Sequence, residues 1–220
     1  KKENKKENPV IVLSAMKGKT DKLLKMAQAM AGAKTPSKKD VDLLLSTGEM
    51  TTCSLLSIYL NSIGTKAIAF SANEVKIFTD NAHTNAKIQD IQTDQITKYL
   101  KQDYIVIVSG FAGISSDEHK TTTLGRGGSD LSGVAIASAL KADVCEIYTD
   151  VDGVYTSDPR IVSNARKMRY VGHEEMIEMA DSGAKVLEPR SVMIAMMYNL
   201  DVQVLSSFEE NPQGTILTND

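Results

Sequence analysis

Apolar and polar positions alternate between two periods along this chain. Five short runs rich in Val, Ile and Ala predict β-strands: PVIVLSA (9–15), TKAIAF (65–70), YIVIVSG (104–110), VCEIYTD (144–150) and VQVLSS (202–207). Several carry apolar side chains on both faces, as strands do when helices cover both sides of a mostly parallel sheet. Between them, stretches with a period near 3.6 predict helices over 19–31, about 50–63, 93–101, 130–141, 173–181 and 190–199. Strands alternating with helices make an α/β layered fold. One segment breaks the rhythm. EVKIFTDNAHTNAKIQD (74–90) has shorter alternating pieces around Asn and Asp, the mark of a β-hairpin. No repeat or low-complexity linker interrupts 1–220, so the expectation is one domain.

The strand runs close on Ser14, on Ser109-Gly110, on Thr149-Asp150 and on Ser206-Ser207. Ligands of open α/β sheets sit beyond the carboxyl ends of the strands. Small hydroxyl and acidic residues gathered there suit a polar ligand, although each alone also suits the start of a turn. The opening KKENKKEN (1–8) reads either as a polar tail or as the solvated end of a helix.

Composition narrows the partners. A chain of 220 residues with 42% hydrophobic and 24% charged residues is an ordinary globular sequence. Its formal net charge of −3 gives no global attraction to nucleic-acid backbones or anionic membranes. Cys53 and Cys145 both lie in apolar runs, as buried thiols in a reducing compartment do. No apolar run approaches the roughly 20 residues of a membrane-spanning helix, and no secretory h-region is evident. The expected location is the cytoplasm. The methionines at 176, 179, 193, 196 and 197 fit helix packing.

TTTLGRGGSD (121–130) is the stretch richest in chemistry. A glycine-rich turn feeding a helix presents unpaired N–H groups and the positive end of a helix dipole, which favours an anion. Ser129 or Asp130 can cap the helix that follows. Arg126 adds a planar fork that grips a carboxylate through two parallel bonds. The spacing matches neither the dinucleotide nor the P-loop fingerprint; an arginine in a plain surface loop is the alternative. A second stretch, YTDVDGVYTSDPR (148–160), leaves a strand with three aspartates, two tyrosines and an arginine around turn residues. Thr149 and Asp150 suit a ribose or a base edge, Tyr155 an aromatic ring and Arg160 a phosphate, while VDGVY and SDPR are equally good turns. In STGEM (46–50), Glu49 is expected to open a helix, either as a dipole partner or as a ligand for an ammonium group.

Taken together, SAMKGKTDKLL, STGEM, TTTLGRGGSD, YTDVDGVYTSDPRIV and GAKVLEPRSV occur in the order and approximate spacing of the aspartate kinases, and the chain resembles that family from about residue 9 to residue 219. The resemblance implies the amino acid kinase fold, a three-layer α/β/α sandwich with a mostly parallel open sheet. It implies transfer of the γ-phosphoryl group of ATP, with Mg2+, to the side-chain carboxylate of L-aspartate, the first step toward lysine, threonine and methionine. On the family's pattern Arg126, Gly127, Gly128 and Ser129 bind the carboxylate of aspartate, Glu49 its amino group, and Thr20 lies nearby. Thr149, Asp150, Tyr155, Thr156, Ser157, Asp158, Pro159 and Arg160 bind ATP, with Ser14 and Lys185 near its phosphates. Asp130 and Lys185 are the catalytic pair, the acid orienting the machinery. No resident metal site is implied. A carboxylate nucleophile is ionised at neutral pH, its ordinary pKa being about 3.9, and needs no general base. Three histidines outside any evident constellation therefore cost this reading nothing.

The sequence departs from the family in three places. The strand carrying KFGG is absent, with Lys17 and Lys19 as its only nearby substitutes; Glu188 stands where the family has histidine; and the chain stops at GTILTND, where family members continue into ACT domains. The expectation is a truncated catalytic domain, weakly active or inactive, belonging to a homo-oligomer or a longer chain. Another amino acid kinase (for glutamate, acetylglutamate or UMP) and a non-catalytic aspartate- or nucleotide-binding fragment are the alternatives.

Overall fold

Strand β1 (Val10–Leu13) leads into helices α1 (Lys19–Ala31) and α2 (Lys38–Ser62), then β2 (Ala67–Phe70), the hairpin β3 (Ile77–Thr79) and β4 (Ile88–Ile91), α3 (Asp94–Leu100), β5 (Ile105–Ser109), β6 (Ala112–Ser115) and β7 (Thr121–Thr123). These belong to the first of two compact units into which the chain divides, the boundary falling between Ser129 and Asp130. The computed structural model describes residues 9–183, 186–210 and 212–219; the KKENKKEN segment and Lys185 lie outside them.

In the first unit β5 is the centre of a three-stranded parallel sheet, flanked by β1 and β2. Its Val106, Ile107 and Val108 are wholly buried, which explains the continuous apolar run. Each such side chain contributes about 1.5–3 kcal/mol on burial. The register sets Leu13 beside Ser109 and Phe70 beside Val108, so the carboxyl ends of all three strands lie level. The expected hairpin at 74–90 forms with β3 and β4 antiparallel, and it joins a second sheet of order β4-β3-β6-β7.

Helix α2 is much longer than the pattern predicts, beginning at Lys38 rather than near 50. Ser46, Thr47 and Gly48 read as a break in sequence. In the structure the hydroxyls fold back on the helix instead: Ser46 Oγ donates to Leu43 O at 2.9 Å and Thr47 Oγ1 to Leu44 O at 2.6 Å. At 25 residues α2 is long and apolar enough to cross a membrane by length and composition alone, contrary to the expectation that no segment would be. Its buried face nevertheless carries Asp42, Ser46 and Glu49 and packs on β2, β5 and β7, as a core helix does.

The second unit contains nearly all of α4 (Gly128–Leu140), then β8 (Cys145–Thr149), β9 (Tyr170–Gly172), α5 (His173–Asp181), α6 (Pro189–Met197), β10 (Val202–Ser206) and β11 (Thr215–Thr218). Its sheet runs β8-β10-β11-β9, with only the β10–β11 pairing antiparallel. Val134, Val154, Met176, Val192, Val204 and Leu217 form the heart of its core. Met176 packs as expected, but Met193 and Met197 project into solvent. The two cysteines are free and buried.

Candidate active site

At the carboxyl end of β1, the carbonyl of Leu13 accepts from the Gly110 N–H at 3.0 Å, tying the ends of β1 and β5 together. Beyond it run exposed Ser14, half-buried Ala15 and the turn at Gly18 (φ 76°), with Thr20 in the first turn of α1 and Lys17 exposed in the loop. Glu49 reaches this loop from α2, its Oε1 accepting from the Ala15 N–H at 3.2 Å. Gly48 permits the approach, since a Cβ there would lie 2.9 Å from that of Ala15. Glu49 does not open the helix, as its sequence context suggested, but sits deep within it, and the N-terminal dipole gives it no help. Only 3% of the residue is exposed. Burial pushes its carboxyl pKa up, and backbone N–H donors partly offset that. Its second oxygen, Oε2, is buried without a hydrogen-bond partner among the described residues. A buried carboxylate with one oxygen satisfied and the other unmet is destabilised until a donor arrives, and a cationic donor satisfies it best.

The arginine loop is held from below. Leu124 is fully buried and its N–H donates to Phe111 O at 2.8 Å, while the Gly128 N–H closes the turn on Gly125 O at 3.1 Å. Gly125 and Gly127 have φ of 77° and 64°, a conformation that costs glycine little. Gly128 is required for a different reason: a Cβ there would lie 2.9 Å from Phe111 Cδ2 and 3.0 Å from Leu124 Cβ. Arg126 is thereby presented to solvent at the tip of the turn, directly before α4. Ser129 and Asp130 lie within the first turn of that helix rather than ahead of it, so neither is its N-cap. Ser129 packs against Gly110, its Oγ 3.1 Å from where a Cβ on Gly110 would stand. The structure therefore brings Ser129 to the ends of β1 and β5, the same strand ends from which the Glu49-bound loop departs.

Sequence reasoning missed Asp42. This residue is wholly buried on α2 and takes three donors from two other segments: Thr123 Oγ1 donates to Oδ1 at 2.5 Å, His83 Nδ1 lies 2.6 Å from Oδ2, and the Thr84 N–H is 3.1 Å from both oxygens. It stands seven residues before Glu49 on one helix, a spacing hidden from the sequence because the pattern starts that helix only near 50.

In the second unit Asp130 is largely buried. Burial lifts its carboxyl from an ordinary 3.8 to about 6, and the charge of Glu188 adds to the rise. Glu188, the departure from the family's histidine, caps α6: it accepts from the Ser191 N–H at 3.1 Å and from Arg190 Nε at 2.6 Å. Thr149 ends β8, where its carbonyl accepts from the Ser207 N–H at 2.8 Å, and Asp150 beside it is exposed. The segment after Gly153 folds back on itself. Tyr155 bridges Lys167, the Thr156 N–H donates to Arg166 O at 3.0 Å, and Tyr155 OH donates to Asp152 Oδ2 at 3.0 Å. Thr156, Ser157 and Pro159 are exposed, whereas Arg160 is held by Asp158 through Nε at 3.0 Å and a second guanidinium nitrogen at 2.8 Å. Those bonds pull the Asp158 carboxyl down to about 2. Among the described residues no three acidic, histidine or cysteine side chains gather as a metal cluster.

The profile of the Amino acid kinase family matches residues 1–206, and the chain belongs to that family. Its α/β fold is that of the solved aspartate kinases. The chain is similar to the aspartate kinase of Pseudomonas fluorescens (strain SBW25), with 49% identity over 211 residues, covering 96% of this chain and 51% of that protein. It thus spans about half the length of the relatives it matches. The crystal structure of aspartate kinase from Synechocystis superposes with a TM-score of 0.81 at 42% identity, covering 96% of this chain and 34% of that one. The crystal structure of E. coli aspartokinase III in complex with aspartate and ADP gives 0.80 at 34% identity, covering 91% and 46%.

Proposed function

We propose that the chain is the catalytic part of an aspartate kinase, transferring the γ-phosphoryl group of ATP to the side-chain carboxylate of L-aspartate. The observation that carries this reading is the buried Glu49 with its unmet Oε2 at the carboxyl end of β1. It is a fixed anion suited to an ammonium group, in a unit that also presents a guanidinium on a glycine loop. An α-amino acid needs that pair of complementary charges. The similarity to relatives named aspartate kinase, and to a structure solved with aspartate and ADP, supports it.

In this reading Glu49 holds the α-ammonium, Arg126 with Gly127 and the Ser129 hydroxyl holds a carboxylate in the turn that the Gly128 N–H closes on Gly125 O, and Thr20 borders the site. Thr149, Asp150 and residues 155–160 receive the nucleotide, with Ser14 and Lys185 toward its phosphates. Asp158 releases Arg160 when phosphate competes for it. Mg2+ would be supplied with ATP as its phosphate complex and would neutralise phosphate charge during the transfer. Asp130 then orients the transfer without accepting a proton, and the reaction depends on positioning and charge neutralisation. The full protein is a homo-oligomer or carries ACT domains, works in the cytoplasm, and feeds lysine, threonine and methionine synthesis. The test uses the full-length protein with ATP, Mg2+, L-aspartate and hydroxylamine. An aspartate-dependent hydroxamate is expected. ATP turnover indifferent to aspartate would refute the reading.

A further inference from the structure

The substrate groups on α2 and on the glycine loop come from distant parts of the sequence, so something must fix their separation. We infer that Asp42 is the positioning residue that does so, a reading that rests on the proposed aspartate site and deepens it. Asp42 and Glu49 stand two helical turns apart on the buried face of α2, about 10.5 Å along its axis. Thr123, which donates to Asp42 Oδ1 at 2.5 Å, is three residues before Arg126. The same carboxylate receives the Thr84 N–H, and the carbonyl of Thr84 with the side chain of Asn85 braces Gly125, where an added Cβ would meet them at 3.2 and 3.0 Å. The Ala86 N–H donates to Thr123 O at 2.9 Å and closes the arrangement. One buried anion thus grips both walls of the glycine loop and the helix that carries Glu49.

The bonding is saturated. A carboxylate can only accept, so Thr123 and His83 both donate, and Nδ1 of the imidazole carries its proton. Bonds to an ionised acceptor are short and directional, and no water competes at a residue with no exposed surface. A packing role alone would favour an apolar residue on a buried helix face, because burying a carboxylate is costly. The three-way grip is what offsets that cost.

The experiment compares Asp42→Asn, Thr123→Val and Thr123→Ser in the full-length protein, measuring kcat and KM for L-aspartate and for ATP, with melting curves. Asp42→Asn and Thr123→Val are expected to raise the KM for aspartate roughly tenfold, the factor that a charge-assisted hydrogen bond is worth, while the KM for ATP moves less than about twofold. Thr123→Ser, which keeps the hydroxyl, restores the aspartate KM. An unchanged aspartate KM in folded variants, or a parallel rise in both KM values, overturns the inference. Should Asp42→Asn fail to fold, the Thr123→Val and Thr123→Ser pair decides alone. A wild-type enzyme without aspartate-dependent turnover would instead count against the aspartate site itself.

Discussion

The two units treat charge in opposite ways. In the first, Asp42 and Glu49 are acids taken out of water, one saturated by three donors and the other left with an unmet oxygen. In the segment from Asp150 to Arg160 of the second, the charges stay at the surface and satisfy one another: Asp158 with Arg160, and Asp152 with Lys167 and Tyr155. Exposed pairs of this kind contribute little to stability and exchange easily. The contrast fits the ligands proposed for them. A small zwitterion offers few contacts, so recognition rests on charges fixed in advance, whereas a nucleotide brings its own charge and can displace a surface pairing.

The largest effect that tests this contrast is expected from Arg126→Ala in the full-length protein. Two charge-assisted bonds to a carboxylate, at about 1.5–3 kcal/mol each, correspond to a loss of roughly a hundredfold or more in kcat/KM for aspartate. The KM for ATP should stay within about twofold. Steady-state release of ADP measures both. Equal losses for the two substrates would mean that the loop does not distinguish them and would erase the division of labour.

Next comes the second unit's own exception, Asp130, an acid largely buried with Glu188 as a like-charged neighbour. Its folded-state pKa of about 6 lies above the ordinary 3.8 of an unfolded aspartate. Below pH 3.8 both states hold the proton and this group makes no difference. Between 3.8 and 6 the unfolded chain releases the proton and the folded one keeps it, so stability falls as pH rises. Above 6 the full penalty applies, on the order of 2–3 kcal/mol. Asp130→Asn removes it. Denaturant unfolding should show the variant more stable than wild type at pH 8 by about that amount, with the gap closing toward pH 4, while aspartate turnover falls. A gap that does not change with pH would assign the gain to packing rather than to the buried charge.

How far these features can be read in the sequence depends on whether their causes are local. Helices α1 and α5 fall on the boundaries that the period near 3.6 predicts, because amphipathic spacing with no glycine or proline inside is a local signal. The start of α2 is lost behind Ser46-Thr47-Gly48, whose hydroxyls are satisfied by their own helix. β6, β7, β9 and β11 are three or four residues long, too short for an alternating pattern to mark them. The glycine loop is legible since its positive φ values call for glycine. Asp42 is not, because it falls ahead of the helix that the pattern predicts from about 50, in a stretch the sequence does not mark as helical. Its real partners are 41, 42 and 81 residues away.

The smallest effect belongs to the surface pairing itself. Asp158 holds Arg160 through two side-chain bonds and also accepts the Arg160 N–H at 2.9 Å, so the pair and the turn are one local device. Arg160 is 87% exposed, and cutting the pair exposes no core. Asp158→Asn keeps an acceptor for the backbone N–H but gives up the ionic grip, so the melting temperature is expected to stay within the error of the measurement. It also frees the guanidinium before the nucleotide arrives, which removes the competition that ATP must otherwise win. The KM for ATP should therefore fall slightly, by no more than about twofold to threefold, since only one exposed pairing is exchanged. The KM for aspartate should not move. A rise in the ATP value would mean that the carboxylate serves the nucleotide directly, and the exchange of partners at Arg160 would have to be abandoned. Raising the salt concentration separates the two accounts further, because screening weakens an exposed ion pair in the wild type and leaves the asparagine variant with nothing to lose at that position.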